Sequence, residues 1–570
     1  MKTLFFGVAL MILFSCNESP EFVTLEKVNP NLYTINTGTS FYWCNPDNLK
    51  ACIAAGKGIM PNIIRFPGGL DASFYHMDGK GYGYRRPPTG ESDDNARHTG
   101  GGSENGGGGN GKSSDEDTKD DQRRMDISTD SSQKLANSTV KPQGRSSDND
   151  DTCSKIKKAY YYLGNAPKSY LDPRDEKYPK NENVIYNVLN YCKSTSSKIL
   201  FTCNMIDATY AENKKVIETI LSGGVEIVGI ELGNEMYLNT FQCLKYDSVA
   251  TYIDTAKMYT ANLRKDFPGI KVGIVAAPSE VIGINPKRLE YYIKWNKAVS
   301  KENFYDAYIV HHYMKDKNCD CKNGFNNPDS LKVKMECHQD ALNTELKMWF
   351  DSGGIKDYKA MFPNKKMWLT EWSSTNLFKC FGNTQVANLY YAAYQNELVK
   401  FGDDIEFATF HNWLGNGKIF PMIAPKGKSF ERRASAYVFE KLQSVFSQRE
   451  TYSLEIPIKF TSTMPQLVKS YAYHQPKTDG LTGNITFIII NSGPSSHDQK
   501  IYAEMINIDG LTYRLKNGVI SQTYSKSLAA SMGNPGFGPS VETIQTATGK
   551  VKSELNIQGY SVTKIIYELE

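Results

Sequence analysis

The sequence predicts an α/β fold: a (β/α)8 barrel of the TIM type with a C-terminal antiparallel β-sandwich. Two observations predict the barrel. Eight short apolar runs alternate with longer amphipathic ones, and those short runs are apolar almost throughout rather than at every second position. Such strands belong to a parallel sheet covered on both faces, and eight strand–helix repeats are the number that closes it. A third observation predicts the sandwich: beyond about Thr451 helical patterns stop and only strand-like runs remain.

In order, the candidate barrel strands are LYTINTGTSFYW from Leu32, NIIRF from Asn62, KILFTC from Lys198, VEIVGIEL from Val225, KVGIVAA from Lys271, YDAYIVHH from Tyr305, KKMWLT from Lys365 and IEFATFHNW from Ile405. Between them lie the helical patterns ENVIYNVLNYCKS, NKKVIETILSG, VATYIDTAKMYTANLRKDF and TQVANLYYAAYQNELVKF. The last sets Val386, Leu389, Tyr390 and Ala393 at the three–four spacing of one buried face. Alternation alone also fits a doubly wound open sheet, but no GxGxxG follows an early strand. The later runs IPIKFTST, LVKSYAYH, ITFIIINS, KIYAEMI, TYRLKNG and SVTKIIYEL are separated by turn residues, as in a sandwich. The extended stretch Glu21–Lys27 is a candidate extra strand for it.

Other segments stand outside the fold. Residues 1–15 carry one positive charge at Lys2 and an apolar run from Leu4 to Phe14, shorter than the roughly 20 residues that span a bilayer. That is the form of a secretory signal. Its Leu-Phe-Ser-Cys ending resembles the bacterial lipobox, which implies a lipid on Cys16 and an anchored place in the cell envelope, at the outer membrane or cell surface. Ordinary signal cleavage, with Cys16 incidental, is the alternative. Residues 16–30 then form a tether, 31–448 the barrel and 449–570 the sandwich. From Thr89 to Asp151 the only larger apolar residues are Met125, Ile127, Leu135 and Val140. So little to bury cannot offset ordering entropy, so 89–151 is expected to be a disordered insertion.

Composition excludes several classes. Of 570 residues 40% are hydrophobic, too many for a wholly disordered chain. The 66 basic and 62 acidic side chains leave a formal charge of +4, without the field of a nucleic-acid binder. Ten cysteines remain besides Cys16: Cys44, Cys52, Cys153, Cys192, Cys203, Cys243, Cys319, Cys321, Cys337 and Cys380. In an exported protein they fit cystines, with connectivity open. Cys319, Cys321, Cys337 and His338 lack the paired CxxC spacing of a metal site. No metal or cofactor is expected.

Barrel active sites lie where the strands end. Strand two ends in RFPGG, with Arg65 and Pro67-Gly68-Gly69, and strand four in ELGNEMY, with Asn234, Glu235 and Tyr237. Strand six ends in HHYM, with His311, His312 and Tyr313. Strand seven ends in TEWSS, with Glu371 and Trp372, and strand eight in HNW, with His411, Asn412 and Trp413. A purely structural barrel needs none of these. Cleaving an acetal needs a protonated acid at the leaving oxygen and a second carboxylate at the anomeric carbon. Glu235 and Glu371, on strands four and seven, suit that pair, and two carboxylates facing one small site do not both ionise easily. His311 and Tyr313, two apart, aim at the mouth while His312 points away. Trp372 and Trp413 are candidate stacking platforms for a sugar ring, with core packing as the other reading. Pro67-Gly68-Gly69 reads as a tight turn that lets backbone approach the sugar.

Together these motifs resemble the clan A glycoside hydrolases, retaining (β/α)8 enzymes with an Asn-Glu pair ending strand four and a Glu ending strand seven. RFPGG and LGNEM are most similar to the α-L-arabinofuranosidases of that clan. HHYM and WLTEWSS are closer to its heparanase and β-glucuronidase branch. The resemblance implies Glu235 as acid/base, Glu371 as nucleophile, Asn234 holding the hydroxyl beside the reacting carbon, Arg65 bordering the nucleophile and Tyr313 hydrogen-bonded to it. His311, Trp372, His411 and Trp413 complete the candidate substrate contacts. The Asp-Gly that follows Met in bacterial arabinofuranosidases is absent, as is the Gly-rich run after the heparanase nucleophile.

The expected function is a retaining glycosidase acting on polysaccharide or oligosaccharide by double displacement. One alternative is a non-catalytic glycan-binding surface lipoprotein on the same scaffold. Another is an exported metal-dependent hydrolase using His311, His312 and His411, although no HExxH pair is present. Arg65, Arg85 and Arg86 are compatible with a uronate or sulfated glycan. The sugar itself is set by loops and not by fold.

Overall fold

A computed structural model of the chain describes residues 19–38, 40–79, 83, 183–279, 286–314, 343–374, 384–415, 421–427, 429–446, 450–457, 467–478, 482–500, 505–524, 542–548 and 554–570. Cys16, Arg85, Arg86, the segment 89–151, His338 and cysteines 153, 319, 321, 337 and 380 lie outside the described residues.

Eight parallel strands close a barrel in chain order: Thr34–Asn36, Ile63–Phe66, Lys198–Thr202, Ile227–Glu231, Val272–Val275, Ala307–Met314, Lys366–Ser374 and Ile405–His411. Six fall within one of the eight apolar runs, and the sixth and seventh run past theirs to Met314 and Ser374. Ile63–Phe66, for example, is buried at all four positions, as a strand with one face on the barrel interior and the other under helices must be. Among the covering helices, Tyr210–Ser222 starts from a Thr209–Glu212 capping box, which satisfies two orphan N–H groups. Ile185–Thr195 ends on Ser196 in the left-handed region, a common helix stop.

Three local expectations need correction. The first run was expected to stay extended to Trp43, but the strand ends at Asn36 and Ser40–Trp43 turns helical after Gly38, which adopts φ +44°. The fourth strand ends at Glu231, so Asn234 and Glu235 sit on the loop beyond it. Helix Gln385–Glu397, expected to bury one face, is buried at every position from Gln385 to Asn396. It is wedged between the barrel and the second sheet: Gln385 Nε2 donates to Tyr560 O at 2.6 Å, and Tyr473 Oη donates to Asn396 Oδ1 at 2.5 Å.

The second sheet runs Met505–Ile508, Glu21–Lys27, Tyr452–Glu455, Val468–Gln475, Gly483–Asn491, Ser561–Leu569, Leu511–Tyr524 and Glu542–Thr548. Leu511–Tyr524 also pairs through its first residues with Met505–Ile508, so the sheet folds back on itself as a sandwich does. Pairing is antiparallel except between Glu21–Lys27 and Met505–Ile508, which run parallel. Phe22, Leu454, Phe487, Ile489, Ile506, Ile565 and Tyr567 form its own apolar core. Cys44 and Cys52 are joined by a disulfide, and Cys243 is also disulfide-bonded. Cys192 and Cys203 are buried free thiols.

Candidate active site

Strand register sets the level of each side chain at the mouth. Asn36 lies beside both Arg65 and His411. Val310 pairs with Leu369 but His311 pairs with Glu371, so Thr370 is an extra residue on the seventh strand. A bulge of this kind re-aims side chains. Here Thr370 and Glu371 both reach the mouth, and Trp372 is sent outward.

Glu371 is held from four directions. Its Oε1 accepts from Arg65 Nη1 at 2.6 Å, from Asn36 Nδ2 at 3.1 Å and from the backbone N–H of Gly69 at 3.1 Å. Its Oε2 accepts from Tyr313 Oη. Burial alone would raise its pKa. The neighbouring His311, His411 and Arg65 and the Tyr313 hydrogen bond outweigh that, and hold the carboxyl well below the usual carboxylate range. The same carboxylate, after burial, pushes the Tyr313 phenol well above its ordinary value.

The Pro67-Gly68-Gly69 turn is what brings backbone to this carboxylate. Gly69 takes φ +66°, a conformation glycine adopts freely. A Cβ on Gly68 would lie 1.7 Å from Asn36 Oδ1, so any side chain there displaces Asn36.

Arg65 is fully buried and anchored on its other side. Its Nε and Nη2 donate to Glu231 Oε1 and Oε2 at 2.8 and 2.7 Å, and Nη2 also donates to Asn234 Oδ1 at 2.9 Å. Asn234 Nδ2 is buried and has no hydrogen-bond partner among the described residues.

Glu235 takes φ +51°, a strained value for a residue with a side chain. Its Oε1 accepts from Tyr237 Oη at 3.0 Å and lies 3.3 Å from His311 Nδ1. That same nitrogen is 3.6 Å from Glu371 Oε2. The two carboxylate oxygens are therefore no farther apart than these two legs end to end. The Glu235 side chain is 21% exposed against 5% for Glu371, so Glu235 is the carboxyl that opens to solvent. His411 completes the ring: burial lowers its pKa, Glu371 opposes this, and Arg65 and His311 add to it, for a net fall.

The structure brings Glu235, Glu371, Arg65, Asn234, His311, Tyr313 and His411 together, but not the two tryptophans. Trp372 is fully buried outside the barrel wall, stacked on Tyr394 at 4.5 Å and edge-on to Phe410 at 5.1 Å. Trp413 is buried against Tyr191 at 4.8 Å and Phe41 at 5.8 Å. Both are core residues, and neither offers a face to a sugar. His312 faces away from the mouth, stacked on Trp349 with Nδ1 2.9 Å from Tyr394 Oη.

Sequence reasoning missed Asn36, Glu231 and Thr370. Glu231 left a trace, an acid at the end of an apolar strand four places before Glu235. Asn36 and Thr370 left none, because strand register and the bulge bring them to the site.

No family model and no curated protein matches the sequence. Solved structures do. The GH51 arabinofuranosidase from Xanthomonas axonopodis pv. citri aligns with 96% of this chain and 99% of its own, at 12% identity and a TM-score of 0.58. The α-L-arabinofuranosidase from Thermotoga maritima, solved with arabinose, covers 97% of this chain and 100% of its own, at 15% identity and TM-score 0.54. CelM2, a bifunctional glucanase-xylanase from a metagenome library, covers 97% and 100%, at 10% identity and TM-score 0.50. In fold, this chain resembles the arabinofuranosidases to which its RFPGG and LGNEM motifs are similar.

Proposed function

We propose that the protein is a retaining glycoside hydrolase acting on polysaccharide or oligosaccharide at the barrel mouth. The observation that carries this reading is the meeting of Glu235 and Glu371 on one nitrogen of His311. The ceiling set by those two contacts sits at the low edge of the ~6.5–9.5 Å of inverting enzymes and admits the ~5–5.5 Å of retaining ones. Glu371, kept ionised by its donors, attacks the anomeric carbon while Glu235 protonates the leaving oxygen. Glu235 then takes a proton from water, whose oxygen displaces Glu371 from the sugar. Asn234 Nδ2, buried and without a hydrogen-bond partner among the described residues, is the donor for the hydroxyl beside the reacting carbon. α-L-Arabinofuranosides are the first substrates to try, given the fold and the motifs.

We further propose lipid anchoring at Cys16 and display at the cell envelope. The Leu-Phe-Ser-Cys ending and the Cys44–Cys52 cystine support export.

Glu235→Ala is expected to lose activity on alkyl glycosides and to regain it with azide on aryl glycosides, giving a glycosyl azide of retained configuration. Wild-type rates in both Glu235→Ala and Glu371→Ala would end the reading. Glycan binding without cleavage across arabinan, glucuronoxylan, glycosaminoglycan and algal galactan would favour the non-catalytic alternative.

A further inference from the structure

Two residues outside the expected set, Thr370 and Glu231, form a chain with His311 behind the acid/base. Thr370 is fully buried; its Oγ1 donates to Glu231 Oε2 at 3.4 Å and lies 3.2 Å from His311 Nε2. Both Glu231 oxygens already accept from Arg65, a guanidinium that only donates. Glu231 thus acts as an acceptor, and the one proton of the Thr370 hydroxyl points to it. Toward His311, Oγ1 then offers a lone pair, so the hydrogen of a neutral imidazole sits on Nε2 and leaves Nδ1 bare.

Bare Nδ1 faces Glu235 Oε1 at 3.3 Å and Glu371 Oε2 at 3.6 Å. Three acceptors turned toward one another need a proton among them. Glu371 is satisfied by Arg65, Asn36, Gly69 and Tyr313, whereas Glu235 accepts from Tyr237 Oη alone among the described residues. The proton therefore belongs to the His311–Glu235 pair.

We propose that Thr370, oriented by Glu231, fixes the tautomer of His311 and so keeps one mobile proton on the Glu235 side of that pair, ready for the leaving group. Thr370 is a positioning residue, and the inference rests on the acid/base reading of Glu235. In the first step this proton moves from Glu235 to the glycosidic oxygen as the C–O bond breaks and the Glu371–carbon bond forms. In the second, water returns a proton to Glu235 as its oxygen bonds to carbon and the Glu371–carbon bond breaks. The proton count on His311 is unchanged throughout.

The groups around His311 are Glu235 and Tyr237 from the loop after the fourth strand, Glu371 and Thr370 from the seventh, Tyr313 from its own strand, and His411 from the eighth. Arg65 reaches it through Glu371. Without the Thr370 hydroxyl, the ring hydrogen moves to Nδ1, where two carboxylates accept it, and Glu235 has no proton to give.

The test uses the full chain with ring-15N histidine, the His311 signal being identified by its loss in His311→Gln. Wild type and Thr370→Ser should show neutral His311 with the hydrogen on Nε2, and Thr370→Val with the hydrogen on Nδ1. The Nδ1–H form in wild type, or no change in Thr370→Val, overturns the proposal. In kinetics, Thr370→Val should lose about 10-fold or more in kcat/KM on alkyl glycosides but less than about 3-fold on aryl glycosides whose leaving group needs no proton. Thr370→Ser should restore both. Equal losses on the two substrate classes also overturn it. A wild-type protein without glycosidase activity sinks the function reading instead, while the tautomer measurement still decides on Thr370.

Discussion

At the barrel mouth, Arg65 lies buried between Glu231 and Glu371, and each of its nitrogens has a carboxylate or amide partner. Along the seam where helices Gln385–Glu397 and Ala434–Gln443 meet the sandwich, burial is as deep but the partners are mostly neutral. Gln385 donates to Tyr560 O at 2.6 Å, Tyr473 to Asn396 at 2.5 Å, and Gln475 to Ser444 O at 2.8 Å. Neutral hydrogen bonds of this kind contribute about 1 kcal/mol each and satisfy buried amides. Buried charges are tolerated only when paired, and a buried pair is weak as a stabiliser. The seam is therefore arranged to hold two parts together. The mouth keeps charges where holding does not need them.

The sharpest test of that contrast is Glu371→Gln. The amide keeps the shape but cannot attack, so kcat is expected to fall by about 10⁴-fold or more. Stability should barely move, because Arg65 retains its paired contact with Glu231. Thermal unfolding should shift by less than about 2 °C, since 1 kcal/mol corresponds to roughly 2–4 °C in larger domains. A loss of tens of degrees would make Glu371 a structural residue.

Arg65→Met cuts deeper into the fold. It leaves Glu231 and Glu371 buried without their common cation, and removing one partner of a buried pair destabilises by about 3–5 kcal/mol. Urea unfolding should show that loss together with vanished activity. Arg65→Lys should rescue neither fully, because a point charge cannot reproduce the fork that meets Glu231 on two nitrogens and Glu371 on a third. Wild-type stability in Arg65→Met would erase the distinction between mouth and seam.

How much was legible follows from range. The barrel strands were readable because a strand such as Ile63–Phe66 carries its burial on every residue, a property of four adjacent letters. The Asn-Glu and Thr-Glu-Trp endings were readable because polar groups at strand ends are local too. Trp372 was misjudged because the bulge at Thr370, a matter of register against the neighbouring strand, decides which way it faces. Trp413 met the same fate through Phe41 and Tyr191, which are distant in sequence. Helix Gln385–Glu397 looked one-sided because its second burial partner, the sandwich, lies at least 70 residues away and leaves no period in the helix.

The smallest effect concerns a seam residue that breaks the pattern. Lys441 is 2% exposed; its Nζ donates to Thr523 Oγ1 at 2.6 Å, and no carboxylate pairs with it among the described residues. Burial drives its amine from 10.5 down to about 7, with Lys564 adding to the fall, Glu440 opposing it and Arg432 adding again. The unfolded chain holds that proton up to its ordinary value, so between the two the unfolded state binds more protons and stability rises with pH. Below about 7 both states carry the charge and the full burial penalty applies. Lys441→Met removes the penalty at the cost of the contact with Thr523, for a net gain of roughly 1–3 kcal/mol at pH 6. The gain should shrink steadily toward pH 10, with kcat unchanged throughout, as urea titrations at several pH values will measure. A loss of stability at pH 6 would mean that this seam, like the mouth, keeps its charge paired.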